Sequence, residues 1–209
     1  MAKGIADSEL TIRPLTAAHV DDLKTVTAGT WGASCWCLFP RYTAAQQRER
    51  GLQKGGDAAR RAEVARLARR RNAPGLIAYR GKEPVGWIAV GPRTDLSAVD
   101  RSRATPAIDD LAVWVIPCIT VRRGHRGQGI AVGLIKAAVD YAAKFGAPAV
   151  EGYPRADNKR LNDDFVFFGN EAMFRKAGFR QVRGVLPSLP KTWTPRVTMR
   201  RTIRTRGAR

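Results

Sequence analysis

Histidine, cysteine and long apolar runs are all scarce in this sequence, and each shortage removes a class of function. Two histidines and three cysteines in 209 residues leave no second ligand pair at a recognisable metal-binding spacing. Cys35-Trp36-Cys37 offers half a site, with only His19 and His125 to complete it, so no metal is expected. An odd cysteine count without repeated pairs is also not a disulfide scaffold; it points to buried thiols in a reducing compartment. No stretch approaches the roughly 18 apolar residues that a membrane helix needs, and the opening MAKGIADSEL lacks an apolar centre of signal-peptide length. The expectation is a soluble cytoplasmic protein with no membrane contact. Acidic residues are missing locally as well: positions 175 to 209 contain none, against eleven Lys and Arg.

The net charge of +19 is unevenly spread. Residues 41 to 80 hold eleven basic and three acidic residues, for +8, and residues 175 to 209 contribute +11, so the rest of the chain balances. Arg60, Arg61, Arg66, Arg69, Arg70 and Arg71 fall within one predicted helix and its end. Clustered arginine in a chain of pI near 11.1 meets the first criterion for binding nucleic acid, whereas the plainer account is a solvated, soluble surface.

The order of elements is alternating and reads as one domain over 1 to 209, with 204 to 209 as a flexible basic tail. Leu10 to Leu15 reads as a strand, and Thr16 as the cap of a helix to about Ala28, with Gly29 as its stop. Thr43 to Gly51 and Asp57 to Arg71 have helical composition, Asp57 capping the second. Gly75 to Arg80 and Val85 to Val90 flank Gly81-Lys82-Glu83-Pro84, a hairpin signal. A polar loop covers 91 to 109. Leu111 to Val121 is apolar enough to be a central strand covered on both faces. Pro117 cannot donate to a ladder, so that strand should bulge or leave a neighbour there. Ala131, Leu134, Ile135, Ala138 and Ala142 recur at helical spacing, with Gly146 as the stop. A strand at Ala147 to Tyr153, a helix at Phe167 to Ala177, and strands at Phe179 to Val185 and Arg196 to Ile203 complete the chain.

Between the buried strand and the long helix stands Arg122-Arg123-Gly124-His125-Arg126-Gly127-Gln128-Gly129-Ile130-Ala131. A helix start presents unpaired N–H groups and a partial positive charge, and glycines let a ligand approach the main chain, so the stretch reads as a pyrophosphate cradle. Its spacing fits neither GxGxxG nor a Walker loop. A tight turn with no ligand is the alternative.

At these residues the sequence resembles the GNAT superfamily of N-acyltransferases. The family's pyrophosphate signature, Arg/Gln-x-x-Gly-x-Gly/Ala between its fourth strand and third helix, stands here as Arg126-Gly127-Gln128-Gly129-Ile130-Ala131. Val85-Gly86-Trp87-Ile88 before it and Met173-Phe174-Arg175-Lys176-Ala177-Gly178-Phe179 after it are similar in order, so the resemblance runs from about Thr11 to Ile203. Cys35-Trp36-Cys37, Trp114 to Val121 and Glu151-Gly152-Tyr153-Pro154 resemble a bacterial subgroup of acetyltransferases.

The resemblance implies an α/β fold with a mixed, largely antiparallel sheet flanked by helices, its fourth and fifth strands splayed to admit pantetheine. It implies acetyl-CoA as cosubstrate, with backbone groups from Ile119 to Val121 on the pantetheine and acyl carbonyl, and the N–H groups of Gly127, Gly129 and Ala131 on the phosphates. Main-chain donors stabilise the oxyanion while an acceptor amine attacks the thioester directly. Glu151 is the candidate base, directly or through water, or else a solvated or salt-bridged carboxylate. Phe174 occupies the position where many members place a tyrosine acid, which leaves Tyr153, solvent, or loss of an unprotonated thiolate. The family's CoA-contacting Asn lacks a clear equivalent, Asn170 being too close to Phe174. Cys118, in an apolar strand without an activating His, reads as structural and not as a nucleophile. His125 reads as an exposed loop residue or a phosphate contact. The Cys35 to Cys37 loop, with Trp31 and Phe39, reads as an acceptor-pocket wall or a core plug. The acceptor is a small amine, or alternatively tRNA: an aminoacyl-tRNA acylated on its amine or serving as acyl donor, held by basic residues such as Arg69, Arg70 and Arg71. Monomer and homodimer both remain open.

Overall fold

Apolar residues at alternate positions fix the sheet. In a computed structural model that describes residues 9–30, 32–53, 55–156 and 167–203, strands β1 (Leu10–Pro14), β2 (Gly75–Arg80), β3 (Glu83–Pro92), β4 (Trp114–Val121), β5 (Ala149–Gly152), β6 (Arg180–Arg183) and β7 (Thr198–Thr202) form one sheet ordered β1-β2-β3-β4-β5-β7-β6. Every pairing is antiparallel except β4 with β5. A parallel pair needs a crossover. It is supplied by helix α6 (Ile130–Ala143), whose buried stripe of Leu134, Ile135, Ala138 and Ala142 lies against the sheet while Lys136 and Asp140 face solvent. Six further helices are described: α1 (Val20–Thr27), α2 (Gly32–Cys35), α3 (Ala44–Glu49), α4 (Asp57–Ala68), α5 (Ser97–Asp100) and α7 (Glu171–Lys176).

The period of two sends neighbouring residues to opposite cores. Leu76, Ile88, Ile116, Val150 and Met199 meet α6 and Phe174 of α7 on one face. Ile77, Trp87, Ala89 and Cys118 meet Leu23 and Val26 of α1, Val64 of α4 and Trp36, just past α2, on the other. Each fully buried Leu or Ile contributes about 1.5–3 kcal/mol. Gly152 packs tightly, since a Cβ there would overlap the Phe174 ring.

Several local expectations need correction. Thr16 heads only a 3-10 turn, Ala17–His19, before α1 begins. Asp57 is not a cap: Gly56 holds that position, and the Asp57 carboxylate accepts from Lys24 Nζ and Trp36 Nε1, each at 2.8 Å. Thr43 does cap α3, in a reciprocal box with Gln46. The 91 to 109 loop contains a 3-10 turn, Arg93–Asp95, and α5. The helix expected from Phe167 starts at Glu171, because Asn170 Oδ1 accepts from Met173 N at 3.0 Å and caps it. β1, β4, β5, β6 and β7 stop one to three residues short of their apolar runs at one or both ends, β2 matches its run, and β3 is longer, from Glu83 to Pro92. Trp31 and the 204 to 209 tail lie outside the described residues.

Candidate functional site

The site begins where two strands part. β4 and β5 pair only over Trp114 to Ile116 with Val150 to Gly152, ending one residue before Pro117. The β3–β4 register slips at the same place, between Ala89 opposite Cys118 and Gly91 opposite Val115. Both outcomes expected of the proline occur together. In an antiparallel ladder inward and outward backbone groups alternate, and Arg122 N donates to Val85 O on β3. The groups of Pro117, Ile119 and Val121 therefore face away from β3. The missing proline N–H falls on the row that would have continued the pairing with β5.

Two of these backbone groups already have partners within the chain. Ile119 N donates to Phe167 O at 2.7 Å, and Val121 O accepts from Arg126 Nε at 3.0 Å. Phe167 was not singled out from the sequence, and no local pattern ties it to β4. Its neighbour Gly169 accepts from Arg155 N, so residues 167 to 170 run beside the chain that leaves β5.

The glycine-rich turn follows β4 directly. Gly124, Gly127 and Gly129 have φ of +85°, +77° and +78°, and a Cβ on any of them would meet nothing within 4 Å. Steric crowding within the chain therefore does not demand glycine here. Left-handed backbone does, and an open approach to the main chain accompanies it. Gly129 is the N-cap of α6, without a side-chain acceptor, so the first N–H groups of the helix are left for another partner. Arg80 Nη2 donates to Gln128 Oε1 at 2.7 Å and Gln128 Nε2 to Gly124 O, which fixes the turn. Glu83 holds its start, accepting from Arg122 Nη1 at 2.7 Å, with His125 Nε2 at 3.5 Å. His125 is thus half-buried beside a carboxylate, not merely exposed.

On the face opposite α6, Glu151 and Tyr153 lie in a buried network. Arg200 donates to Glu151 Oε1 through Nε at 2.9 Å and Nη2 at 2.7 Å, and Tyr153 Oη donates to Glu151 Oε2 at 3.0 Å. Arg93 Nη1 donates to Tyr153 Oη at 2.6 Å. Arg200 also reaches Asp109, and Arg93 reaches Asp100. Glu151 is 1% exposed. Burial, then the adjacent Glu151 charge, raises the Tyr153 pKa well above the usual phenol range. Of the alternatives drawn from the sequence, the salt-bridged carboxylate describes this geometry. Arg93, Asp109 and Arg200 went unremarked because they lie far from Glu151 in sequence. Phe174 is fully buried and edge-on to Phe179 in the α6 core, with no proton to give.

The cysteines converge more than their spacing suggests. Cys37 and Cys118 are buried with sulfurs 3.4 Å apart, and Cys37 N donates to Cys35 Sγ. Cys118 has this thiol beside it, in keeping with a structural role. Hydrogen bonding and burial raise the pKa values of Cys35 and Cys37, so both stay protonated. Trp36 and Cys37 adopt left-handed backbone and are core, while Cys35 and Phe39 line a cleft of about 540 Å³ with Lys24, Leu52, Asp57 and Arg60. The loop plugs the core and also lines this cleft. No helix among the described residues is long and apolar enough to cross a membrane, and they contain no cluster of metal-ligating side chains.

The two basic segments enter different parts of the sheet. The first supplies α3, α4 and β2; the second supplies β6 and β7 at the other end of the sheet. Much of their charge is engaged: Arg61 with Asp21, Arg66 with Glu63, Arg70 with Asp95, Arg175 with Glu171 and Arg200 as above. Arg71 stacks on Phe145, just past the C-terminal end of α6 and so about 20 Å from its N-terminus.

The sequence profile of the acetyltransferase (GNAT) family matches residues 39–169, more than half of the chain. No curated protein matches the sequence. Among solved structures, the chain is similar in fold to YncA, a putative acetyltransferase from Salmonella typhimurium with its cofactor acetyl-CoA, at 15% identity and TM-score 0.57 over 95% of this chain and 96% of that one. It is also similar to the PaiA N-acetyltransferase from Thermoplasma acidophilum in complex with coenzyme A, at 14% and 0.52 over 93% and 99%. An acetyltransferase of the GNAT family from Streptococcus pneumoniae gives 14% and 0.56 over 93% and 99%.

Proposed function

The chain belongs to the acetyltransferase (GNAT) family, and we propose that it transfers acetyl from acetyl-CoA to the amine of a small acceptor. One observation carries this reading: three left-handed glycines open onto space the chain does not fill, ahead of an uncapped helix, at the end of a strand whose parallel neighbour has just diverged. The CoA and acetyl-CoA complexes among its structural relatives support the choice of cosubstrate. The residues present fit such a group. The N–H groups of Gly127, Gly129, Ile130 and Ala131 take the pyrophosphate; Arg126 and Gln128 shape the turn; Ile119 and Val121 present main-chain groups to pantetheine and the acyl oxygen. The thioester supplies an activated carbonyl. The amine attacks its carbon, the new C–N bond forms as the C–S bond breaks, and the proton lost by the amine balances the thiolate released.

The chain's own contribution is orientation and charge. Ile119 N–H reaches the acyl oxygen once Phe167 O gives way, exchanging one carbonyl acceptor for another. Glu151, with its oxygens engaged by Arg200 and Tyr153, acts in this reading as the anchor of the acceptor-side wall, and a water or bulk base receives the amine proton. The strong engagement of the arginines favours a small acceptor over tRNA. The tRNA alternative rests on the residual charge around Arg69, Arg70 and Arg71. The test is incubation with acetyl-CoA and an amine panel, reading free thiol. Amine-dependent thiol release is expected; failure of folded protein to bind acetyl-CoA overturns the reading.

A further inference from the structure

Most arginines described above point at a carboxylate or carbonyl; Arg196 does not. Its Nε is buried with no hydrogen-bond partner among the described residues. Its guanidinium stacks on Phe168, with Cζ 3.5 Å from the ring centroid. Burial, with no compensating carboxylate among the described residues, lowers its pKa to about 10, so it remains a cation at neutral pH. The residue as a whole is half-buried, so part of it still meets solvent. A desolvated charge without a counterion weakens a fold, and such local violations are characteristic of binding sites.

Its place in the fold gives the charge a use. Arg196 pairs through its backbone with Arg155, just past β5, and Arg155 is 3% exposed. Phe168, the ring beneath the guanidinium, follows Phe167, whose carbonyl sits on Ile119 N. The ring beneath the cation thus belongs to the residue next to Phe167, whose carbonyl holds the position proposed for the acyl oxygen, and Arg196 itself lies on the segment leading into β7. A planar fork held flat on an aromatic ring matches a carboxylate through two parallel hydrogen bonds.

We propose that Arg196, backed by Phe168, receives a carboxylate borne by the acceptor, so that the substrate is an amino acid or another small amino carboxylate. The inference rests on the acetyl-CoA site proposed above. The carboxylate takes no part in the bond changes: it holds the amine over the thioester while nitrogen replaces sulfur on the acyl carbon.

Free amino acids and their carboxamides, assayed as matched pairs with acetyl-CoA, test this through thiol release. At neutral pH an amide's amine is less basic and more of it is unprotonated, so a preference for the acid does not arise from nucleophile supply. Wild-type kcat/KM for at least one acid is expected to exceed that of its amide by about tenfold or more. Arg196→Met is expected to bring the ratio to about one, and Arg196→Lys to retain part of it, with acetyl-CoA affinity unchanged in both. Because Arg196→Met removes an uncompensated buried charge, its melting temperature is expected to rise by about 2–4 °C. The proposal is overturned by equal turnover of acids and amides, or by an acid preference that survives in Arg196→Met. It also fails if wild-type protein binds acetyl-CoA yet acetylates no amino carboxylate, or acetylates only an RNA-borne amine. A lower melting temperature in Arg196→Met reassigns the side chain to structure. Loss of acetyl-CoA binding by wild type itself removes the broader reading instead.

Discussion

The turn before α6 and the acceptor-side wall proposed around Glu151 are built in opposite ways. The turn is made of backbone: three glycines at positive φ and the free N–H groups of a helix start, drawn from about ten consecutive residues. The wall is made of side chains assembled from distant segments: Arg93, Glu151, Tyr153 and Arg200, largely closed to solvent, with Asp100 and Asp109 at its exposed rim. The first recognises charge with groups every protein has and needs only the right conformation. The second depends on particular side chains, and removing any one strands the others.

That contrast sets the expected effects of substitution. In the turn, Gly129→Val places a β-branched residue at φ +78° and a side chain over the open main chain. CoA affinity is expected to fall by about a thousandfold, while strain costs only about 1–3 kcal/mol, so the fold survives. Calorimetry showing unchanged affinity in folded variant breaks the assignment. In the wall the loss should be one of stability. Glu151→Gln leaves Arg200 with Asp109 alone and is expected to cost about 3 kcal/mol in denaturant unfolding, with CoA affinity preserved. A fully stable Glu151→Gln protein whose turnover collapses, chiefly below the pH at which free amine becomes abundant, reinstates Glu151 as the base.

Tyr153→Phe sharpens the same point with a smaller change. It removes the hydroxyl between Arg93 and Glu151 and is expected to cost about 1–2 kcal/mol, with turnover lowered no more than stability explains. A large fall in turnover at intact stability makes Tyr153 the acid. The smallest effect belongs to neither region. Replacing Arg69, Arg70 and Arg71 together by Ser breaks the exposed Arg70–Asp95 pair and is expected to cost under about 1 kcal/mol, leaving CoA binding intact. Bulk tRNA titrated over a salt series should bind wild type and variant equally weakly. A salt slope that flattens by about 0.9 per lost phosphate contact favours the tRNA alternative.

What the sequence made legible follows the same division. Pro117 announced both the bulge and the parting of β4 from β5, because a missing donor acts where it stands. The α6 stripe and the three glycines were equally local. Asp57 was misjudged by a residue, since a carboxylate drawn to Lys24 and Trp36 depends on distant neighbours; the start of α7 was misjudged by about a turn, although the Asn170 cap on Met173 N that sets it is local. The burial of Glu151, the meeting of Cys37 with Cys118 across 81 positions and the hold of Phe167 on Ile119 had no local signature. Charge counting is blind to the same long-range contacts: Arg61, Arg70 and Arg200 of the basic segments meet carboxylates far away in sequence.

The central claim is that main-chain N–H groups at the start of α6 receive the pyrophosphate of CoA. Titrating acetyl-CoA into isotope-labelled protein and following backbone amides tests it most directly. The largest saturable shifts are expected at Gly127, Gly129, Ile130 and Ala131, with smaller ones at Ile119 and Val121. Saturable binding that leaves Gly127 to Ala131 at their free positions contradicts the account.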